Sequence, residues 1–353
     1  MTELAGMTYE DAIERLPDRE VPDWWVGSNA DLATVLDGVD RGERRELGRT
    51  PGDRSLDVVT YGDATAPARR ANYNSAVGAG EPGRYVDRER RDRPVVMFVG
   101  PVHGDEVEGL TGLANLIHLL EHGRDGRGEE HTTLATLASD CRLLVVPIGN
   151  PDGLARFEPA ALQGCTEADL RFWGQGTWAE DSFMGWPEAK RLHPMAGEEV
   201  GFLGGYFNDE GVNPMHDEFT APMGPEAPAL HDLARREAPD VIVSLHSHPH
   251  PPAVLRPTYV PMEIQWDVRE IALAYRDRLD ARELPAGSVF DPRPETGDPP
   301  PKYNLVSSLH HVCGATTFTH ESPHGLRDGC SCAFDDLLDL QFALYRSVLE
   351  HVT

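Results

Sequence analysis

The chain has 353 residues, 40% of them hydrophobic, which is enough for one large α/β domain or two smaller ones. Its 59 acidic residues against 32 basic ones give a formal net charge of −27, with Lys190 and Lys302 as its lysines. Such a surface repels phosphate, so it excludes nucleic acid and anionic membranes as partners. No apolar stretch approaches the roughly 18 residues needed to span a bilayer. Met1-Thr2-Glu3-Leu4-Ala5 does not begin a leader of basic-then-apolar type, and five scattered cysteines do not suggest a disulfide framework. A cytoplasmic protein with reduced thiols is expected. The acidic shell suits concentrated salt, where screening removes self-repulsion, so a halophilic source is expected too.

Residues 1 to 50 are acidic and mixed, with a short helix expected at Tyr9 to Leu16, and read as an N-terminal extension packed on the main domain, 51–353. Leu56, Val58, Val59 and Tyr61 mark a first strand, followed by a polar loop through Arg93. Val95 to Val99 is continuously apolar, as a strand covered on both faces must be. Leu110, Leu113, Leu116, Ile117 and Leu120 recur at helical spacing up to Gly123. Leu143 to Ile148 is the next buried strand, closed by the turn signal Asn150-Pro151-Asp152-Gly153.

Residues 154 to 225 lack clear periodicity and read as a long functional insertion. In it Trp173, Trp178 and Trp186 are expected to pack the segment itself. Glu226 to Ala238 reads as a helix, Val241 to Leu245 as a strand, and Ile264 to Leu279 as an amphipathic helix. Residues 285–301 form a Pro/Gly-rich loop. A strand at Ala315 to Thr319 then precedes a C-terminal helix with Phe334, Leu337, Leu338, Phe342, Tyr345, Val348 and Leu349 at its apolar positions. Cys330-Ser331-Cys332 reads as buried thiols. Strands alternating with helices predict a three-layer α/β/α sandwich on a mixed, mainly parallel central sheet.

The chemistry lies just past the apolar runs. Gly100-Pro101-Val102-His103-Gly104-Asp105-Glu106 presents an imidazole and a carboxylate at the mouth of a buried strand. Val241 to Leu245 leads directly into His246, and Ala315 to Thr319 leads into His320-Glu321. Two histidines and one glutamate around an open position form a catalytic zinc set, and a further glutamate can take a proton from the activated water. His248 and His250 rival His246, because side chains two apart on a strand face the same way.

The order His-x-x-Glu, Asn-Pro-Asp-Gly, strand-His-Ser and strand-Glu resembles the zinc carboxypeptidases of the carboxypeptidase A type, over residues 95 to 325. The resemblance implies that His103, Glu106 and His246 bind one zinc ion and that Glu321 is the general base and later proton donor. It leaves His248 to face substrate. It also implies an arginine beside the scissile carbonyl, for which Arg156 and Arg171 are the candidates, and a tyrosine closing over the substrate, for which Tyr303 is the candidate. One string departs from the family. Where Gly-Val-Asp-x-Asn-Arg would grip a substrate carboxylate, this chain has Gly211-Val212-Asn213-Pro214-Met215-His216. Histidine cannot reproduce the two-pronged grip of arginine, so Asn213 and His216 are expected only to line the pocket.

The sequence therefore reads as a zinc-dependent hydrolase of amide bonds, a metallocarboxypeptidase-like peptidase acting on a peptide or an acylated amino acid. The alternatives are an N-acyl amino acid deacylase resembling aspartoacylase and succinylglutamate desuccinylase, and a non-catalytic zinc-binding scaffold. The charge makes a first testable statement. The protein is expected to lose its near-ultraviolet circular dichroism in dilute buffer and regain it in molar salt; full stability at low salt would contradict the halophilic reading.

Overall fold

The computed structural model describes residues 6–64, 71–81, 85, 91–185, 188–191, 193–297 and 302–353. In chain order the elements are α1 (Tyr9–Glu14), α2 (Asn29–Asp37), β1 (Glu43–Arg49), β2 (Ser55–Tyr61), α3 (Tyr73–Gly78), β3 (Val95–Val99), α4 (Val107–His122), α5 (Thr132–Ser139) and β4 (Arg142–Val146). Next come α6 (Pro151–Ala155), α7 (Glu167–Leu170), a π-helical turn (Arg171–Gln175), β5 (Gly176–Trp178), α8 (Glu188–Arg191), β6 (Val200–Leu203) and a 3₁₀ turn (Pro214–His216). The chain closes with α9 (Glu226–Glu237), β7 (Val241–His248), β8 (Ala253–Val254), α10 (Met262–Ala281), α11 (Leu305–Cys313), β9 (Thr316–Pro323) and α12 (Phe334–Val352).

Seven strands form one sheet in the order β1-β2-β4-β3-β7-β9-β8. The four central strands, β4, β3, β7 and β9, run parallel, while β1, β2 and β8 pair antiparallel at the two edges. Alternation along the central strands explains the three layers. Val96, Phe98, Leu143, Val145, Val241, Val243 and Leu245 point into one core, shared with α4, α10 and α12. Val95, Met97, Val99, Leu144, Val146 and Ile242 point into the other, shared with α9 and α11. β3, β4 and β7 are thus apolar on both faces, and helices cover both faces from water.

Helix ends follow their local chemistry. Gly123 stops α4 in the left-handed conformation, φ 79°, as a residue without a Cβ does most easily. Asn150 caps α6 by accepting from the Gly153 amide at 3.0 Å, so the turn signal at 150–153 starts a short helix. Several elements were not foreseen: β1 within the N-terminal 50 residues, α2, α5, α11, and the β5–β6 hairpin within 154–225. Strand β1 is rich in Arg and Glu and mostly exposed, so it carries no apolar signal. The N-terminal segment is tied to α4, where Val26 and Thr111 exchange hydrogen bonds of 3.1 and 2.9 Å. Trp173 is fully buried, Trp178 is half-buried, and Trp186 lies outside the described residues. Of the Pro/Gly-rich loop, residues 298–301 lie outside them as well. Cys332 is buried and Cys330 partly so, with their sulfurs 3.8 Å apart. Among the described residues no helix is long and apolar enough to cross a membrane.

Phe98, fully buried in β3, packs on Tyr345 of α12 with ring centroids 4.8 Å apart. Phe98→Ala is expected to cost about 3–5 kcal/mol, read as a lowered denaturant midpoint.

Candidate active site

Three parallel neighbours, β3, β7 and β9, bring their carboxyl ends to one edge of the sheet, which is where open α/β sheets bind ligands. From β3 the chain runs through Gly100 to Glu106 into α4. Two hydrogen bonds fix this loop, Gly100 N–H to the Val146 carbonyl and Gly104 N–H to the Gly205 carbonyl, each 2.7 Å. Gly104 must be glycine, because a Cβ there would lie 2.0 Å from the Leu154 nitrogen. Glu106 occupies the N-cap position of α4 but makes no side-chain cap. Its carboxylate turns instead to two imidazoles.

His103 Nδ1 lies 2.9 Å from one Glu106 oxygen, and His246 Nδ1 lies 2.8 Å from the other. The two rings stand edge to face, 4.9 Å between centroids. All three side chains are at least 93% buried, and one ligand atom from each lies within 4.8 Å of the others. His246 is held on its far side, where Ser244 Oγ lies 3.1 Å from Nε2. His103 is held by its face, stacked on Tyr206 at 3.8 Å and 7°. Metal-binding imidazoles are oriented in this way by contacts away from the ion.

Burial alone would raise the Glu106 carboxyl, but the two imidazoles outweigh it and hold it below the usual range. Burial lowers His103 despite Glu106, whereas Glu106 wins at His246 and raises it. A buried carboxylate facing two ring nitrogens at 2.9 and 2.8 Å is the donor set that zinc takes. The residues therefore fit the ion: His103, Glu106 and His246 would hold it.

Glu321 stands beside this group. In the β7–β9 register it is the direct partner of His246. Its carboxyl is pushed up to about 8, first by burial and then by the charge of Glu106, against the opposing pull of His246 and His324. The strand carrying His246 extends to His248, whose Nε2 donates to the Pro251 carbonyl at 3.0 Å. Thus His248 anchors the turn after the strand, and His250 is exposed beyond it.

Of the remaining sequence candidates, Asn213 reaches this cluster, while the two arginines are held by other partners. Arg156 Nε donates to the Leu203 carbonyl at 3.0 Å, and its other nitrogens meet the Gly204 and Phe207 carbonyls and Asp209. It staples residues 203–209 and is not a free cation. Arg171 pairs with Glu167 one turn away at 2.8 Å. Among the described residues neither arginine bonds to His103, Glu106, His246 or Glu321. Asn213 is fully buried; it accepts from the Met215 amide at 3.1 Å and donates to the Ala189 carbonyl at 3.2 Å, and its side chain neighbours His103. Met215 is buried in the core under α9 and α11, and His216 is half-buried at the end of its 3₁₀ turn. Tyr303 is 40% exposed and stacks on His311 in an aromatic group with Tyr259 and Phe219.

Sequence reasoning missed four residues here. Tyr206 was hidden in a glycine-rich stretch of the long insertion. Asp105, between the two ligands in sequence, is completely buried, and neither of its oxygens has a hydrogen-bond partner. Burial, then Glu106, pushes it well above the usual carboxylate range. Glu108 and His324 form a fully buried pair, Nδ1 3.2 Å from the carboxylate, joining the first turn of α4 to the end of β9. No local pattern links two residues so far apart in sequence.

The family model described as zinc carboxypeptidase matches residues 40–248. The chain therefore belongs to the zinc carboxypeptidase family and is a zinc metallohydrolase. In fold it is similar to a metallo-carboxypeptidase from Burkholderia cenocepacia, with TM-score 0.56, 16% identity, and 92% of this chain and 69% of that chain covered. It is also similar to a metallo-carboxypeptidase from Pseudomonas aeruginosa in complex with (2-guanidinoethylmercapto)succinic acid, with TM-score 0.52, 14% identity, and 92% and 70% covered. No curated protein sequence matches the chain.

The Glu108–His324 pair makes a pH prediction. Burial lowers His324, but Glu108 outweighs it and raises the imidazole from 6.5 to about 9. A group raised on folding stabilises fully below its unfolded pKa, and that contribution disappears as pH rises through its folded pKa. Near pH 6, His324→Gln is expected to cost roughly 3–5 kcal/mol, because it strands a buried carboxylate. The gap between parent and variant should shrink from pH 6.5 towards 9. Denaturant titrations across that range measure it, and a constant gap would contradict the pairing.

Proposed function

We propose that the chain hydrolyses an amide bond with a single zinc ion at His103, Glu106 and His246, and with Glu321 as general base. The observation that carries this reading is the convergence of two imidazole Nδ1 atoms on Glu106, with Glu321 directly across the β7–β9 register from His246. Bound there, zinc supplies Lewis acidity, which acidifies a water and polarises a carbonyl. Glu321 takes the proton of the attacking water and passes it to the departing amine. His103 and His246 are kept in place by Tyr206 and Ser244.

A metallocarboxypeptidase-like peptidase is the first reading. The second is an N-acyl amino acid deacylase, and one observation weakens the first without adding support to the second. Where a carboxylate-gripping arginine is expected, Met215 is buried in the core and His216 stands half-buried. Elemental analysis of parent protein purified in high salt is expected to find about one zinc per chain, lost in His103→Ala. Glu321→Gln should keep the metal while hydrolysis falls about 10²–10⁴-fold, measured on a panel of peptides and N-acyl amino acids. Unchanged turnover would remove Glu321 from the mechanism. A parent that takes up no zinc on reconstitution would leave a non-catalytic scaffold.

A further inference from the structure

Amide hydrolysis needs a donor at the carbonyl oxygen as that atom gains negative charge. The arginines that could supply one are committed elsewhere, Arg156 to the 203–209 backbone and Arg171 to Glu167. Tyr206 is placed differently. Its ring lies flat on His103 at 3.8 Å and 7°, so a phenol is fastened to the face of a metal ligand.

The placement is rigid. Tyr206 N–H donates to the Gly174 carbonyl at 2.9 Å, and Gly205 N–H donates to the Trp173 carbonyl at 2.8 Å. On the other side the Gly205 carbonyl accepts from Gly104 in the ligand loop. Gly174 makes room for the ring: a Cβ there would lie 2.6 Å from Asp105 Oδ2 and 3.2 Å from Tyr206 Cε1. The hydroxyl end of the ring therefore sits beside Asp105, and the charges of Glu106, Asp105 and Glu321 all act on it. A phenol carries its proton at neutral pH and can donate, and the Gln175 side chain of the π-helical turn hydrogen-bonds to it. Residues 171–175, which hold Trp173 and Gly174, form a π-helical turn, an irregularity frequent at functional sites.

We propose that Tyr206 is a further catalytic residue, whose hydroxyl donates a hydrogen bond to the carbonyl oxygen of the scissile amide. No bond to tyrosine forms or breaks. The phenol keeps its proton throughout and only strengthens its donation as charge builds on the oxygen. This role rests on the hydrolase reading above.

Tyr206→Phe isolates the hydroxyl, because the stacking ring and its backbone ties remain. The probe is acetohydroxamic acid, a zinc-directed oxygen ligand, titrated calorimetrically against zinc-loaded parent and variant, with zinc content measured on both. The expected result is equal zinc in the two proteins and binding weakened about tenfold in the variant, as loss of one hydrogen bond implies. Equal zinc with binding within about twofold of the parent would overturn the role of Tyr206 alone. A parent that takes up no zinc would overturn the hydrolase reading and the role of Tyr206 with it.

Discussion

The arrangement depends on one carboxylate shared by two imidazoles. Glu106 lies 2.9 Å from His103 Nδ1 and 2.8 Å from His246 Nδ1, and all three groups are withdrawn from water. A buried carboxylate is tolerated only when something of opposite charge faces it. Asp105 and Glu108, both buried within two residues of Glu106, add to the demand for positive charge, and Glu321 adds to it across the sheet. His324, raised by its pairing with Glu108, answers part of it. A divalent cation held by His103, Glu106 and His246 would answer much of the rest. So the acidity of this pocket is a reason for the metal as well as a setting for it.

Holding such a cluster requires a frame that does not relax. The parallel strands provide the base, since β3, β7 and β9 are adjacent and almost wholly buried. The roof comes from the long segment after α6, read from sequence as an irregular insertion. It is fastened at several points: Asn150 donates to the Gly205 carbonyl at 3.2 Å, and Asp152 accepts from the Asp209 amide at 3.1 Å and from Arg54 at 2.8 Å. Arg156 binds the same loop from below. The residues of the family-like turn at 150–153 thus act at a distance: they position Tyr206 against His103.

What was legible in the sequence follows from burial. Strands covered on both faces must be apolar runs, so β3, β4, β7 and β9 stood out. His103 and Glu106 just past β3, and His246 and Glu321 in the last residues of β7 and β9, then drew notice as polar groups where the apolar runs had stopped. Strand β1 and helix α11 were missed for the opposite reason. One is a solvated edge reading Glu-Arg-Arg-Glu-Leu-Gly-Arg, and the other is interrupted by Ser307, Ser308, His310 and His311. The roof gave no periodicity because its elements are only three to five residues long. Tyr206 and the Glu108–His324 pair depend on contacts between distant segments, and no local pattern encodes those.

The same division separates chemistry from specificity. The groups proposed for bond breaking sit on strand ends and a helix start, the most constrained backbone in the molecule. The groups proposed to choose a substrate come from the 3₁₀ turn at 214–216 and the loop before α11. At the first of these, the buried Met215 and half-buried His216 leave no two-pronged cation. Near the second, the charge of Lys302 acts on Glu321. A lysine is a single point charge on a flexible stem, whereas an arginine fixes a carboxylate in both position and plane. On this frame, loss of a strict carboxypeptidase grip and retention of amide hydrolysis are compatible, because they are built from different parts of the fold.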